Sequence, residues 1–361
     1  MQRWLTSIAL CLLLGLPVTA MAVDKPYFYP YVNPLEATVM ELPPYYHADI
    51  PDKVPTKTFK VYPFPEREIP QVFWYEDGLV SSLNAQKKEA PLIFIIAGTG
   101  ARHNSPKMVN MQKALYQAGY HVITISSPTK PPFMAAASST NLPGLTNYDA
   151  EDLYRVMTHA LDVVSKEIEI TEKYVTGYSL GGIEAAFVGY LDSQRKEINF
   201  DKVLMINPPV NLYTSVSNLD NIIPEYIRKH PDATGKKIFD DVFNRLAAHF
   251  KETGHVKFGP ETLFEIQEGD QAMGPDELEI LIGISFRFSS ADLAFTSDAL
   301  NQTGWIIPAL IIIPLSSVGF WGKFVGGVFS FPGLSWETIA FRSIYGDDAM
   351  FGPIARVSST Y

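Results

Sequence analysis

Short apolar runs alternate with amphipathic stretches between residues 92 and 206. The run at 92–96 reads Leu-Ile-Phe-Ile-Ile, which is continuous rather than alternating and is typical of a strand buried on both faces. The predicted strands are 92–96, 121–126, 173–176 and 202–206, and the predicted helices are 108–118, 150–168 and 181–191. Short connections between these elements predict an α/β fold, a mostly parallel sheet with helices on both faces.

The flanking segments follow other patterns. Residues 23–57 are rich in Pro and Tyr, which predicts an extended lead-in because proline breaks helices and central strands. Residues 58–64 and 71–75 are predicted to form an antiparallel edge pair, with a turn signal at 76–78. The core is therefore placed at 58–209. Residues 210–303 lack a buried-strand pattern, and we interpret them as a helical cap or insertion with helices at 222–229, 237–251, 260–268 and 275–286.

The first 22 residues have the pattern of a secretory signal peptide. Arg3 precedes an apolar run at 5–16, and Ala20-Met21-Ala22 matches an A-x-A cleavage site, so the mature chain would begin at Val23. An N-terminal membrane anchor is the alternative, but the run is shorter than the roughly 20 residues that a spanning helix needs. The only cysteine, Cys11, lies inside this run. We expect a periplasmic or secreted protein.

The last segment, 304–361, does not continue the pattern of the core. Residues 305–329 are strongly apolar but are interrupted by Pro308, Pro314 and Lys323. Three interpretations remain open: a membrane anchor or contact at 305–329, a buried strand at 309–313, or a tail that is not the native continuation, for instance after a frameshift or a premature end.

Composition narrows the class of partner. The 361 residues carry a formal net charge of -10, with 47% hydrophobic and 19% charged residues. This balance predicts a folded chain and disfavours nucleic acid, whose phosphates are bound by concentrated Lys and Arg.

One motif carries candidate chemistry. Gly177-Tyr178-Ser179-Leu180-Gly181 matches Gly-x-Ser-x-Gly, and it stands between a predicted strand and a predicted helix. In that context Ser179 would be exposed on a tight turn, which Gly177 and Gly181 allow because they have no Cβ. The pattern predicts a nucleophile elbow.

Acyl transfer also needs backbone N–H donors that face the developing oxyanion. One comes from the residue after the nucleophile, which is Leu180, and a second from a loop after an earlier sheet strand. Gly98-Thr99-Gly100 follows the strand at 92–96, and Thr99 is the predicted second donor.

With these motifs, residues 58–209 resemble the N-terminal half of the α/β-hydrolase superfamily, particularly its esterase and lipase branch. The resemblance implies that Ser179 attacks an acyl carbonyl, that Leu180 and the 98–100 loop form the oxyanion hole, and that Asn207 begins the loop after the strand following the elbow helix. It also implies an acid and then a histidine further along the chain.

The histidine departs from this pattern, because no histidine follows residue 255. His103, in the oxyanion loop, and His255, in the predicted cap, are the candidate bases. The acid candidates after the elbow are not distinguished by sequence; they are Asp220, Asp270, Asp292 and Asp298.

Two functional hypotheses follow. The first is an exported serine hydrolase that cleaves an ester or related acyl substrate, either a small molecule or a lipid, through an acyl-enzyme on Ser179. The second is a catalytically inactive or truncated hydrolase-like protein, a binding module or a remnant. An acyltransferase stays open as a third, because the elbow does not separate transfer to water from transfer to another acceptor. No metal-ligand spacing and no dinucleotide or P-loop signature is present, so no metal or cofactor is predicted.

Overall fold

The computed structural model describes residues 31–39, 46–232, 244, 248 and 274–303. Within them the strands are β1 (Lys57–Val61), β2 (Leu79–Asn84), β3 (Ala90–Ile96), β4 (His121–Ile125), β5 (Ile170–Tyr178) and β6 (Lys202–Ile206). The helices are α1 (Pro34–Val39), α2 (Pro106–Gln117), α3 (Pro131–Ala136), α4 (Thr146–Val164), α5 (Leu180–Arg195), α6 (Leu212–Lys229) and α7 (Pro275–Asn301). The four strands and three helices predicted between residues 92 and 206 are all present, with ends that differ by a few residues.

These strands form one six-stranded sheet in the order β1-β2-β4-β3-β5-β6. β4, β3, β5 and β6 run parallel, whereas β1 and β2 add an antiparallel edge. The predicted α/β class with a mostly parallel sheet is confirmed.

Helices cover both faces of the sheet. In β3, Leu92, Phe94 and Ile96 pack in the same cluster as the apolar faces of α4 and α5. The alternate residues Ile93 and Ile95 pack with Met108 of α2 on the other face. These five residues of β3 are each at most 5% exposed. The continuous apolar run of β3 is therefore explained by burial on both faces.

The sheet edge at β6 differs from its centre. Val203, Leu204 and Met205 are 39%, 55% and 50% exposed, although their sequence is as apolar as that of the central strands. β6 is the last strand in the described part of the sheet and pairs only with β5 there. Apolar sequence alone did not distinguish this exposed strand from a buried one.

The predicted strand at 71–75 is wrong. Residues Gln71–Phe73 form a 3₁₀ helix, in which the N–H of Phe73 donates to the carbonyl of Pro70 at 2.8 Å. The antiparallel partner of β1 is instead β2, which begins after Gly78. The turn signal at 76–78 therefore precedes the second strand rather than ending it.

Two short helices that the sequence did not predict begin at proline residues. The lead-in contains α1, which Pro34 starts and where the side chain of Asn33 accepts from the N–H of Leu35 at 2.8 Å. The loop between β4 and α4 contains α3, which begins at Pro131. Proline is compatible with the first turn of a helix, because the N–H groups there have no partner within the helix.

After β6 the described chain is helical. The helix predicted at 222–229 is the second half of α6, and that predicted at 275–286 continues to Asn301 in α7. α7 packs against α6, α1 and α3. Of the predicted helices 237–251 and 260–268, only Asn244 and Ala248 are described, and both are helical. The predicted signal peptide and the tail at 304–361 lie outside the described residues. None of the helices in the described ranges is long and apolar enough to span a membrane.

Candidate active site

Ser179 occupies a strained turn between β5 and α5. Its backbone angles are φ 54° and ψ -125°, a region that residues with a Cβ rarely adopt. Its N–H donates to the carbonyl of Ile206 on β6 at 2.9 Å, and its carbonyl accepts from the N–H of Gly182 at 2.9 Å. The side chain is exposed. The turn thus presents the Ser179 hydroxyl at the carboxyl end of the parallel strands.

The two elbow glycines are required by close backbone packing. A Cβ on Gly177 would lie 2.0 Å from the carbonyl oxygen of Gly181, and a Cβ on Gly181 would lie 2.2 Å from the carbonyl oxygen of Ile96. Both distances are far shorter than ordinary contacts, and the atoms met are backbone atoms. α5 therefore begins in direct contact with the end of β3, as a strand-turn-helix elbow needs.

The 98–101 turn follows β3. The N–H of Ala101 donates to the carbonyl of Gly98 at 3.0 Å, and Gly100 between them has φ 69°. The N–H of Gly100 donates to the hydroxyl of Thr129 at 2.8 Å. In the described part of the chain the N–H of Thr99 has no acceptor, and the residue is exposed. Thr99 thus presents the free donor of this turn.

Strand register brings the turn and the elbow together. β3 and β5 are parallel neighbours, with Ile96 opposite Gly177. Thr99 lies three residues after Ile96, and Leu180 lies three residues after Gly177. The two strands are about 4.8 Å apart. Leu180 is the first residue of α5, where the N–H has no acceptor within the helix. The two predicted oxyanion donors therefore leave the sheet side by side at its carboxyl edge. The core has the α/β-hydrolase fold.

No protein-family model matches the chain, and no curated protein matches it in sequence. Solved structures match part of it. An arylesterase shares 17% identity over 50% of this chain and 52% of its own, with a TM-score of 0.33. A hyperthermophilic esterase from the archaeon Pyrobaculum calidifontis shares 17% over 45% and 47%, with a TM-score of 0.32. Est1E from Butyrivibrio proteoclasticus shares 15% over 40% and 51%, with a TM-score of 0.28. The chain spans about half the length of these proteins, and the fold is assigned on its own sheet and elbow.

His103 of this α/β-hydrolase core lies away from the elbow. Its ring Nδ1 is 2.7 Å from the hydroxyl of Ser82 on β2, and its backbone N–H donates to the hydroxyl of Ser126 at 2.9 Å. β2 is three strand spacings from β5, about 14 Å in the plane of the sheet. Burial and the nearby charge of Arg102 lower the pKa of His103 to about 4. The structure does not bring His103 to Ser179. His103 was a candidate base only because it follows the oxyanion loop in the chain, and its ring bonds β2 instead. His255 lies outside the described residues.

The described acid candidates hold α7 and α6 in place. Asp220 forms a buried ion pair with Arg287 at 3.2 Å, and Asp292 pairs with Lys130 at 3.5 Å. Asp298 accepts a hydrogen bond from the hydroxyl of Thr303. The fourth candidate, Asp270, lies outside the described residues. The Asp292–Lys130 pair ties α7 to the loop beside the 98–101 turn.

α7 also approaches the oxyanion turn directly. A Cβ on Gly100 would lie 2.7 Å from the hydroxyl oxygen of Ser289 on α7. The helix predicted as part of a cap thus borders the 98–101 turn, so its side chains limit the space that a substrate can occupy there.

Two carboxyl groups that were not predicted from the sequence are buried, one on the elbow helix and one on the helix α4. Asp149 of α4 and Glu184 of α5 are both fully buried. One Asp149 oxygen accepts from the N–H of Gly144 at 2.6 Å; the other, and both oxygens of Glu184, accept no hydrogen bond within the described residues. Burial raises the pKa of Asp149 to about 8 and that of Glu184 well above its usual range. The pair is therefore held largely protonated at neutral pH.

A further buried carboxylate, that of Asp192, closes the turn that leads into β6. Asp192 accepts from the hydroxyl of Tyr154 at 2.7 Å and from the N–H of Phe200 at 2.7 Å, and from two further backbone N–H groups at 3.1 Å. Burial acts to raise the pKa of Asp192, but these donors outweigh it and the pKa is lowered. In the described ranges no group of three or more His, Cys, Asp or Glu side chains is arranged to hold a metal ion.

Proposed function

We propose that the protein is a serine hydrolase that cleaves an ester or related acyl substrate through an acyl-enzyme on Ser179. The conformation of Ser179 carries the proposal: a residue with a Cβ is held at φ 54° and is exposed at the carboxyl end of the parallel strands. Such strain costs about 1–3 kcal/mol and persists where surrounding structure enforces it, most often at functional sites.

In the proposed reaction, the Ser179 hydroxyl oxygen attacks the carbonyl carbon of the ester and its proton passes to a base. The carbonyl oxygen becomes an oxyanion, which the N–H groups of Leu180 and Thr99 stabilise. The bond from the carbonyl carbon to the alcohol oxygen then breaks, and the alcohol leaves with the proton. Water hydrolyses the acyl-enzyme by the same steps. Since His103 faces β2, His255 is the remaining candidate base of the two.

Covalent labelling tests this proposal. A fluorophosphonate reacts with an activated serine, so the folded full-length protein should be labelled stoichiometrically and Ser179→Ala should not be labelled. Ser193→Ala is a matched control, because Ser193 lies on the same helix with an exposed side chain that bonds the carbonyl of Tyr190. Equal labelling of wild type and Ser179→Ala would refute the proposal.

We also propose the cellular setting and the class of substrate. Export after cleavage before Val23 would place the enzyme in the periplasm or outside the cell, and N-terminal sequencing of the mature protein checks this. The substrate would be a small-molecule ester or a lipid acyl group. Product analysis with and without an added alcohol separates a hydrolase from an acyltransferase.

One observation favours a second candidate function, an inactive hydrolase-like binding protein. Within the described residues, no histidine ring bonds the hydroxyl of Ser179, and His103 bonds Ser82 instead. Without a base the serine hydroxyl is a poor nucleophile near neutral pH. Turnover of 4-nitrophenyl acetate that disappears in Ser179→Ala would exclude this candidate.

A further inference from the structure

The turn that carries Thr99 has little to hold it in place by itself. It contains two glycines, and Gly100 adopts φ 69°, where the backbone is free of the restriction that a Cβ imposes. The single hydrogen bond inside the turn joins Ala101 to Gly98. A donor that stabilises an oxyanion has to be fixed before the reaction, because its value comes from needing no reorganisation. The turn therefore needs an anchor from elsewhere in the fold.

A second turn, which follows β4, provides that anchor. The N–H of Gly100 donates to the hydroxyl oxygen of Thr129 at 2.8 Å, and the N–H of Ser127 donates to the carbonyl of Ala101 at 3.0 Å. The two hydroxyl groups of Ser127 and Thr129 are themselves 2.8 Å apart. Thr129 is 7% exposed and Ser127 is fully buried, so water competes little for these bonds.

These contacts decide which N–H group faces the substrate. The N–H of Ala101 is bound to Gly98 and the N–H of Gly100 is bound to Thr129, which leaves the N–H of Thr99 as the free donor of the turn. Without the Thr129 hydroxyl, Gly100 would regain a free N–H, and rotation of the turn would move the Thr99 donor.

We propose that Thr129 is a positioning residue of the oxyanion hole: by accepting the N–H of Gly100 it fixes the 98–101 turn so that Thr99 is its single oxyanion donor. This inference rests on the proposed function of Ser179. Thr129 acts through the turn and does not contact the substrate.

Two substitutions at one position separate the hydroxyl from the shape of the side chain. Thr129→Val keeps the branched shape but removes the acceptor, whereas Thr129→Ser keeps the acceptor. Thr158→Val is a matched control, because Thr158 donates to the carbonyl of Tyr154 inside α4, on a helix away from the turn. We expect Thr129→Val to lower kcat for 4-nitrophenyl acetate by about 10-fold to 100-fold with KM changed less than about twofold. Thr129→Ser and Thr158→Val should stay within about threefold of wild type.

Binding of benzeneboronic acid adds a readout that a purely structural role would not move. This inhibitor forms a tetrahedral adduct with an active-site serine, so its affinity should fall in parallel with kcat in Thr129→Val and recover in Thr129→Ser. Amide hydrogen exchange of the peptide that covers the 98–101 turn should be faster in Thr129→Val than in the other variants. This measurement does not depend on ester turnover.

The outcomes distinguish the two levels of the argument. A wild type that neither turns over the ester nor reacts with a fluorophosphonate overturns the proposed function and this inference with it. An active wild type with an unaffected Thr129→Val overturns only the inference. Equal losses in Thr129→Val and Thr129→Ser also overturn it, because the hydroxyl would then not be the cause.

Discussion

Replacing Gly181 with alanine tests whether the contact between α5 and β3 holds the elbow. The new Cβ would lie 2.2 Å from the carbonyl oxygen of Ile96 and 2.7 Å from that of Ala97. Both are backbone atoms of the strand that leads into the oxyanion turn, so neither can rotate away. An ordinary contact is restored only if the start of α5 moves from β3 by about 1 Å, because close-packed interiors leave no room for the methyl group.

Gly189 on the same helix is a matched control. The nearest neighbours of a Cβ there would all belong to the side chain of Val203, and the closest is the Cγ2 methyl group at 2.4 Å. The Val203 side chain is exposed and can change rotamer. Alanine gains about 1 kcal/mol of helix propensity over glycine within a helix. Backbone overpacking costs about 1–3 kcal/mol. We therefore expect Gly181→Ala to lower the free energy of unfolding by up to about 2 kcal/mol and Gly189→Ala to raise it slightly.

Activity should separate the two variants further. A shift of about 1 Å in a catalytic group costs about 100-fold in rate, and in Gly181→Ala the groups that shift are Ser179 and the Leu180 donor. The assays are urea unfolding, the rate of fluorophosphonate labelling and 4-nitrophenyl acetate turnover. If Gly181→Ala keeps the stability and labelling rate of Gly189→Ala, the contact does not position the elbow and the reasoning is wrong.

Three more predictions concern buried groups. Asp192→Asn should lower the free energy of unfolding by about 3 kcal/mol, because charge-assisted hydrogen bonds are lost. Folding lowers the pKa of Asp192, so the stabilising effect of its carboxylate is lost below about pH 4. Urea unfolding at several pH values should therefore show a smaller difference between wild type and variant in that range. Burial raises the pKa values of Asp149 and Glu184 on folding, so stability should fall as the pH rises above about 4. Glu184→Gln should flatten this dependence, and an unchanged slope would contradict it. Folding lowers the pKa of His103 to about 4, so the contribution of its neutral ring to stability is present above about pH 6.5 and is lost as the pH falls toward 4. His103→Gln should remain reactive to fluorophosphonate but unfold at a lower temperature. Loss of labelling would instead indicate that His103 is the base.

The parallel part of the sheet was predictable because its signal is local. A strand that is buried on both faces needs apolar residues throughout, so β3 and β4 stand out in the sequence. The elbow was predictable for a similar reason, since the Gly-x-Ser-x-Gly spacing is fixed by one tight turn. Gly177 and Gly181 are each within a few residues of the serine that they serve.

β2 was missed because two of its polar side chains, those of Ser82 and Asn84, bond distant partners. Ser82 bonds His103, and the side chain of Asn84 donates to the carbonyl of Pro55 at 2.9 Å, so a strand containing both is buried without an apolar pattern. The aromatic sequence at 71–75 has high strand propensity, yet local bonds after Pro70 make it a 3₁₀ turn. Propensity is a weak guide where long-range contacts decide.

The support of the candidate site was hidden for the same reason. Thr129 lies 29 residues from Gly100 in the chain, between the predicted strand at 121–126 and the predicted helix at 150–168. The available signal was a pair of hydroxyl residues, Ser127 and Thr129, just after the carboxyl end of a predicted strand. Without the strand order, nothing in the sequence shows that this end lies beside the oxyanion turn.

The strain at Ser179 gives the most direct separation of function from folding. Glycine tolerates positive φ, so Ser179→Gly should relieve the strained backbone, whereas Ser179→Ala keeps a Cβ and the strain. Both variants lose the hydroxyl and should lose labelling. Ser179→Gly should be more stable than Ser179→Ala by about 1 kcal/mol in urea unfolding, despite the greater freedom of glycine in the unfolded chain. Equal stabilities would mean that the elbow is not strained, and the conformational argument for a nucleophile at Ser179 would then fail.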